Sequence, residues 1–314
     1  EDVTVPAGTF KALRLEGGNV ANAWTVWYAP AARLVVKEIH ERKAGHPFGP
    51  GRTVTEMVRY AAPGGDAWYG FGLEASTAAV RRGEGRRAVA FYESAARDFE
   101  ARGMPVEAGQ ALADLARIAR PVGAVQQGLR AGLRAIDLLK AAPRNDAMLS
   151  DLAGAYLFVG ALYRSTGSLG EAQQFLQEGA QLSPAFATPQ RRLFWAGAFG
   201  RALGELAYAR RDLPAAAQQA AEAVKQFEQF LANKSASGFD LGRRSAQRHL
   251  VFALSLAGDV ARHSGNNAAA AQALNRAVQV ARDMGTTELE LGVRNSLGYL
   301  ALNKPDIPEA LRHL

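Results

Sequence analysis

The chain has 314 residues and 48% of them are apolar, enough to bury a large core and too many for a disordered or collagen-like chain. It contains no cysteine, which excludes disulfides, thiolate nucleophiles and cysteine-ligated metals. Against 30 Asp+Glu stand 37 Lys+Arg, a formal charge of +7 that solubility and local ion pairing explain at this length as readily as an anionic partner does.

Residues 1–62 have period two. Val3 and Val5 alternate with polar residues, Pro6-Ala7-Gly8 interrupts, and residues 9–15 continue the run. Residues 23–29 are rich in aromatic and β-branched side chains, which favour strands. Residues 33–41 and 53–60 follow, with glycine- and proline-bearing turns at 17–19, 29–30 and 45–51. This predicts an antiparallel meander of about four strands as a domain over residues 1–64. Such a sheet is marginal alone, so upstream strands or the following helices are expected to support it. Pro63-Gly64-Gly65-Asp66 marks the junction, placed between Ala62 and Ala67, and residues 65–314 form the second domain. There the apolar period becomes helical and stays so. No apolar run approaches the roughly 18 residues of a membrane span.

Within the helical region a small residue recurs at Ser76, Ala116, Gly160, Gly204, Gly258 and Gly298. Seven positions later comes a turn, at Gly83, Gly123, Gly167, Arg211, Gly265 and Pro305. Twelve positions after the first member stands Ala88, Gly128, Ala172, Ala216, Ala270 or Ala310. Two helices joined by a short turn pack closely only if small side chains sit where they cross, and this explains the paired code. The unit around Gly160 is the sharpest: Tyr156, Val159 and Tyr163 lie on its first helix, and Ala172, Leu176 and Gly179 face back from its second.

This pattern resembles the tetratricopeptide repeat family. The phasing extends to Tyr92 and Ala95, to Gly132 and Ala135, to Ala220 and Ala223, to Leu274 and Ala277, and to Leu314. The resemblance implies a mainly α fold: a right-handed α-solenoid of about six helix–turn–helix repeats behind a small N-terminal antiparallel sheet. The spacings (76, 116, 160, 204, 258, 298) exceed the family's basic 34 residues. Longer helices or insertions, such as residues 184–189 and 232–240, are expected to absorb the surplus, and other α-solenoids such as HEAT-like arrays stay open.

In this register the inner wall takes the residues one and four after the small position and three before it. That selects Arg117 and Arg120, then Leu157 and Arg164, then Arg201, Glu205 and Tyr208, then Ser255, Asp259 and Arg262, then Asn295 and Tyr299. The candidate partner-binding residues are Arg117, Arg120, Arg164, Arg201, Tyr208, Arg262 and Tyr299. Arginines along one face suit carboxylates on an extended or acidic protein segment. The alternative is that they pair with Glu205 and Asp259. The family's carboxylate-clamp subgroup uses Asn and Lys at set inner positions where this chain has Ala161 and Glu205, so clamp binding of a C-terminal carboxylate is not expected. The basic clusters Arg81-Arg82 with Arg86-Arg87, and Arg243-Arg244 with Arg248-His249, lack interleaved aromatics and read as solvated faces, with no specific nucleic-acid partner.

Chemistry-bearing motifs are not found. The histidines at 40, 46, 249, 263 and 313 never take the i, i+4 spacing of a helical metal pair, and no nucleophile elbow or phosphate loop occurs. No catalytic, metal or cofactor residue is assigned, and this segment is read as non-enzymatic. The strings at residues 3–10, 27–30 and 34–37 resemble the end of a bacterial envelope β-domain of the lipoprotein-carrier-like half-barrel type. That implies a periplasmic or envelope location, the cytoplasm being the alternative, and raises Trp24, Trp27 and Tyr28 as lining for a lipid, or else as plain core. The start at Glu1 and the stop inside a predicted helix suggest a truncated or processed product. Three functions follow: a scaffold binding a protein segment in the groove; the sensor or targeting region of a larger enzyme, such as a caspase-like or CHAT-type protease; or an envelope lipid or small-ligand carrier.

Overall fold

The computed structural model describes residues 1–18, 22–31, 34–44, 50–57, 85–142, 144–233 and 240–302. Ser76, Gly83, the junction at 62–67, Arg81, Arg82, His46, His313, and the sixth turn and second helix at Pro305, Ala310 and Leu314 lie outside them, as does most of the insertion at 232–240. The chain separates into two compact units, Glu1–Ala124 and Val125–Leu314.

In the first unit, β1 (Asp2–Val5) and β2 (Gly8–Lys11) form a hairpin, and β3 (Leu13–Gly18), β4 (Asn22–Ala29), β5 (Leu34–Arg42) and β6 (Gly51–Glu56) form an antiparallel meander. The expected single strand over residues 9–15 is therefore two strands in two sheets. Ala12 is the break: its N–H donates to the Glu1 carbonyl at 2.8 Å, the Glu1 ammonium donates back to the Ala12 carbonyl at 2.8 Å, and its side chain is buried. Alternation does not reveal this, because the period of two runs through the break. Val3, Val5, Ala12, Ala29 and Val36 make the local core, with Phe10, Trp27 and Met57 packed on it.

Among its described residues the first unit also holds helices α1 (Gly85–Ala101) and α2 (Pro105–Ala119). The second unit holds α3 (Val125–Lys140), α4 (Asp146–Ser165), α5 (Leu169–Ala180), α6 (Pro189–Ala209), α7 (Leu213–Ala232), α8 (Asp240–His263), α9 (Asn267–Asp283) and α10 (Thr287–Leu302). Their starts follow from local chemistry. Asn145 Oδ1 accepts from the N–H groups of Ala147 and Met148, and Asp212 and Asn266 cap α7 and α9 in the same way. Pro189 opens α6, where its missing N–H costs nothing.

The turns repeat one geometry. Gly123, Gly167 and Gly265 take φ of +72°, +82° and +80°, and Arg211 takes the same left-handed conformation at +65°. After each, the next N–H reaches back five residues: Ala124 to Ala119, Ser168 to Tyr163, Asp212 to Ala207 and Asn266 to Ala261. Gly103 and Gly285, which the register did not select, close α1 and α9 identically.

The crossing code holds within the second unit. A Cβ on Gly160 would lie 2.6 Å from Leu176 Cγ and 3.4 Å from the Ala172 carbonyl; on Gly258, 2.6 Å from Leu274 Cγ and 3.4 Å from the Ala270 carbonyl. On Gly204 it would meet Leu256 of the following first helix at 2.9 Å and Ala216 of its own partner at 3.5 Å. Ala172, Ala216 and Ala270 are fully buried. The fold of the helical region is that of a tetratricopeptide-type repeat.

Candidate functional site

Consecutive first helices pack in series: α4 along α6, α6 along α8 and α8 along α10. This brings the residues that follow each small position side by side on one face of the second unit. Arg164, at the end of α4, reaches Glu205 on α6, Nη2 to Oε2 at 2.6 Å. Arg201, one turn before Glu205 on the same helix, donates to the other carboxylate oxygen. The Arg201 guanidinium also lies 5.7 Å from the ring centroid of Phe252 on α8.

Further along, Arg262 pairs with Asp259 at 3.7 Å across one turn of α8. Burial pushes the Asp259 carboxyl up, against the opposing pull of Arg262, of His263 and of a hydrogen bond with Ser296. The Tyr208 hydroxyl stands 2.8 Å from His263 Nδ1, which also lies 2.9 Å from the Asp259 carbonyl. Burial, then the Asp259 charge, raise the Tyr208 phenol above its usual range. Tyr299 on α10 is 63% exposed, and Asn295 is exposed beside it. Three guanidinium groups thus face two carboxylates on this wall.

Of the residues selected from sequence, Arg164, Arg201, Tyr208, Arg262 and Tyr299 lie on these stacked first helices, and Glu205 and Asp259 pair with the arginines. Leu157 is a correction: it is 7% exposed, because an apolar side chain at that position packs inward. Arg117 and Arg120 belong to the first unit; Arg117 donates to Asp114 at 3.0 Å and Arg120 is exposed beyond the end of α2. Two wall residues were missed. Phe252 sits three before Ser255 on the same helical stripe and is 39% exposed, a spacing that signals it. His263 follows Arg262 and meets Tyr208, a contact that its spacing from the other histidines does not signal.

In the second basic cluster Arg244 and Arg248 are exposed, as a solvated face has them, whereas His249 and Arg243 turn toward the protein. His249 stacks on Phe227 at 5.5 Å and meets Phe194 edge-on at 5.4 Å. Burial, then the charges of Arg201 and Arg248, push its imidazole down to about 3. Arg243 donates to the Leu231 carbonyl at 3.0 Å.

On the meander, Leu13, Leu15 and Gly17 of β3 pair with Tyr28, Val26 and Trp24 of β4 and share one face. Leu13, Leu15 and Trp24 are exposed there. Trp27 lies on the opposite face, its indole donating to the Glu1 carboxylate with Arg14 and Lys37 over its ring. Trp24 and Trp27 therefore cannot line one concavity, which corrects that expectation. Among the described residues no group of three or more His, Asp or Glu is placed to hold a metal, and no helix is long and apolar enough to cross a membrane.

No family model and no curated protein matches the chain. Solved structures do match. A Rap protein in complex with competence and sporulation factor aligns at TM-score 0.60 and 13% identity, over 79% of this chain and 64% of that one. The apo form of RapI aligns at 0.56 and 14%, over 80% and 64%. BtubC (BKLC) from P. vanneervenii aligns at 0.52 and 13%, over 79% and 89%. The chain thus spans about two thirds of the Rap structures' length, and at these identities the likeness is one of fold.

Proposed function

We propose that this chain is a non-enzymatic protein-interaction scaffold that takes an acidic or extended segment of a partner along the first helices of its second unit. The observation that carries this reading is the convergence of Arg164, Arg201 and Arg262 from three stacked helices onto one face, with Phe252 and Tyr299 exposed on it. Guanidinium groups supply directional, charge-assisted hydrogen bonds to carboxylates, and exposed aromatics supply contact area. A Rap protein of similar fold was solved in complex with competence and sporulation factor, which supports binding as a use of this fold. A fluorescein-labelled Glu-rich dodecapeptide tests it by anisotropy. Binding is expected to weaken with salt and to fall at least about tenfold in the Arg164→Glu/Arg262→Glu double variant. Unchanged binding in that variant removes the assignment.

One observation favours a second reading, a carrier of an apolar ligand. The exposed Leu13, Leu15 and Trp24 share one sheet face with Val26 and Tyr28. Organic extraction of the purified chain followed by mass spectrometry decides it; an extract without stoichiometric lipid leaves these residues as plain surface.

A further inference from the structure

Resting on the groove reading above, we propose that Glu205 is a built-in competitor: it occupies, inside the free protein, the place of a partner's carboxylate and thereby sets the affinity for acidic segments. The two arginines that hold it come from different helices, 41 residues apart for Arg164 and four for Arg201. Each takes one oxygen of the carboxylate, so Glu205 is gripped as a ligand would be. The three side chains keep only 24%, 13% and 22% exposure for Arg164, Arg201 and Glu205, so the charges are partly desolvated while still reachable from water. In that setting an ion pair is worth more than at an open surface, and displacing it costs correspondingly more.

The donors outnumber what Glu205 can accept. A guanidinium carries five N–H groups, and the buried Nε of Arg201 finds no acceptor. The same holds for the buried Nε of Arg262 on the neighbouring stripe of α8. Two cations on one carboxylate leave an uncompensated positive charge, and an incoming Asp or Glu side chain is drawn to it. The arriving carboxylate therefore competes with Glu205 for Arg164 and Arg201. The same residue excludes weakly charged segments, which gain too little from the arginines to displace it.

The competing account is that Glu205 is a staple joining α4 to α6. The two accounts predict opposite signs. Glu205→Gln keeps the shape and one acceptor oxygen but removes the charge. Binding of the labelled Glu-rich dodecapeptide is expected to tighten about tenfold, on the order of one partly buried ion pair, with a steeper loss on adding salt. A Gln-rich peptide of the same length should gain nothing. Should Glu205→Gln fail to fold by circular dichroism, Glu205→Asp replaces it: the carboxylate is one methylene shorter, cannot span both arginines, and should give a smaller gain of the same sign. Equal or weaker binding of the acidic peptide in the folded variant overturns the proposal. If that occurs while Arg164→Glu/Arg262→Glu still abolishes binding, the groove reading stands and only the competitor role falls. If the acidic peptide is ignored by wild type and by Glu205→Gln alike, both fall.

Discussion

Placing a methyl group on Gly160 tests the packing code directly. In an open helix interior, Gly→Ala gains about 1 kcal/mol from helix propensity. At Gly160 the new Cβ would fall 2.6 Å from both Cγ and Cδ2 of Leu176, and Leu176 is fully buried, so moving it disturbs the packing around it. Overpacking of that kind costs about 1–3 kcal/mol, so the net effect is a loss of up to about 2 kcal/mol. Gly292, exposed on α10 with nothing within 4 Å of its Cβ direction, is the control, and Gly292→Ala should show the full propensity gain. Leu176→Ala alone should cost about 2–5 kcal/mol, because it opens a cavity against Gly160. Combining it with Gly160→Ala places the new methyl in the space vacated, so the double variant should recover roughly 0.5–3 kcal/mol relative to the sum. Urea unfolding followed at 222 nm reads all four. The reasoning fails if Gly160→Ala stabilises as much as Gly292→Ala, or if the two changes at Gly160 and Leu176 simply add.

Arg211 holds a left-handed backbone where equivalent turns have glycine, so Arg211→Gly should raise stability by up to about 1 kcal/mol and Gly167→Ala should lower it by about 1–2 kcal/mol; thermal melts showing no such opposition would count against the turn assignment. His249 is held neutral, with its imidazole pushed down to about 3, while an unfolded histidine protonates near 6.5. The unfolded chain therefore binds the extra proton in that window, and stability falls as pH drops from about 6.5 toward 3, by at most about 1.4 kcal/mol per unit for the one proton and by less because the residue is only half-buried. His249→Phe should flatten this slope in urea midpoints measured between pH 6 and 4, and parallel slopes would refute the role of burial. Asp146 accepts from the Ala187 and Thr188 N–H groups and the Thr188 hydroxyl, first of all the last, and its carboxyl is held down. Its contribution is present above the ordinary carboxylate pKa and is lost as pH falls through the lowered one, so the gap between wild type and Asp146→Asn should close in acid.

What was legible in the sequence is what the chain repeats. Gly160 and Gly258 answer the same steric demand from a leucine of the partner helix, while Gly204, in the same phase, is held small first by Leu256 of the following helix. The phase placed a turn at Arg211 although arginine disfavours the conformation it adopts there. The glycines at 103 and 285 fall outside the phase because they close second helices, α1 and α9, whereas the register marks the turn inside each repeat; both joints use the same left-handed closure. The split at Ala12 escaped for a different reason. It is made by a backbone exchange with Glu1, eleven residues away, and alternation carries no trace of that.

The wall was legible as a set of positions, and Glu205 and Asp259 were legible as alternative partners of its arginines, but the pairing between helices was not. Arg201 and Glu205 lie four apart on one helix, so their pairing follows from spacing alone. Arg164 and Glu205 become neighbours only when α4 lies along α6. That adjacency yields a rule once the register is fixed: the residue four after one small position meets the residue one after the next. Arg164 meets Glu205 by this rule, and Tyr208 feels the charge of Asp259. Carried one repeat further, the rule sets Arg262 opposite Tyr299, which has no carboxylate to offer. Arg262 must then rely on Asp259 of its own helix, at 3.7 Å and with the carboxyl pushed up by burial, a weaker partner than the one Arg164 and Arg201 share. The surplus guanidinium of the wall therefore stays with Arg164 and Arg201 around Glu205, whereas Arg262, beside the most exposed aromatic ring on the wall, holds the looser pair, and an acidic segment should open that pair first before it competes with Glu205.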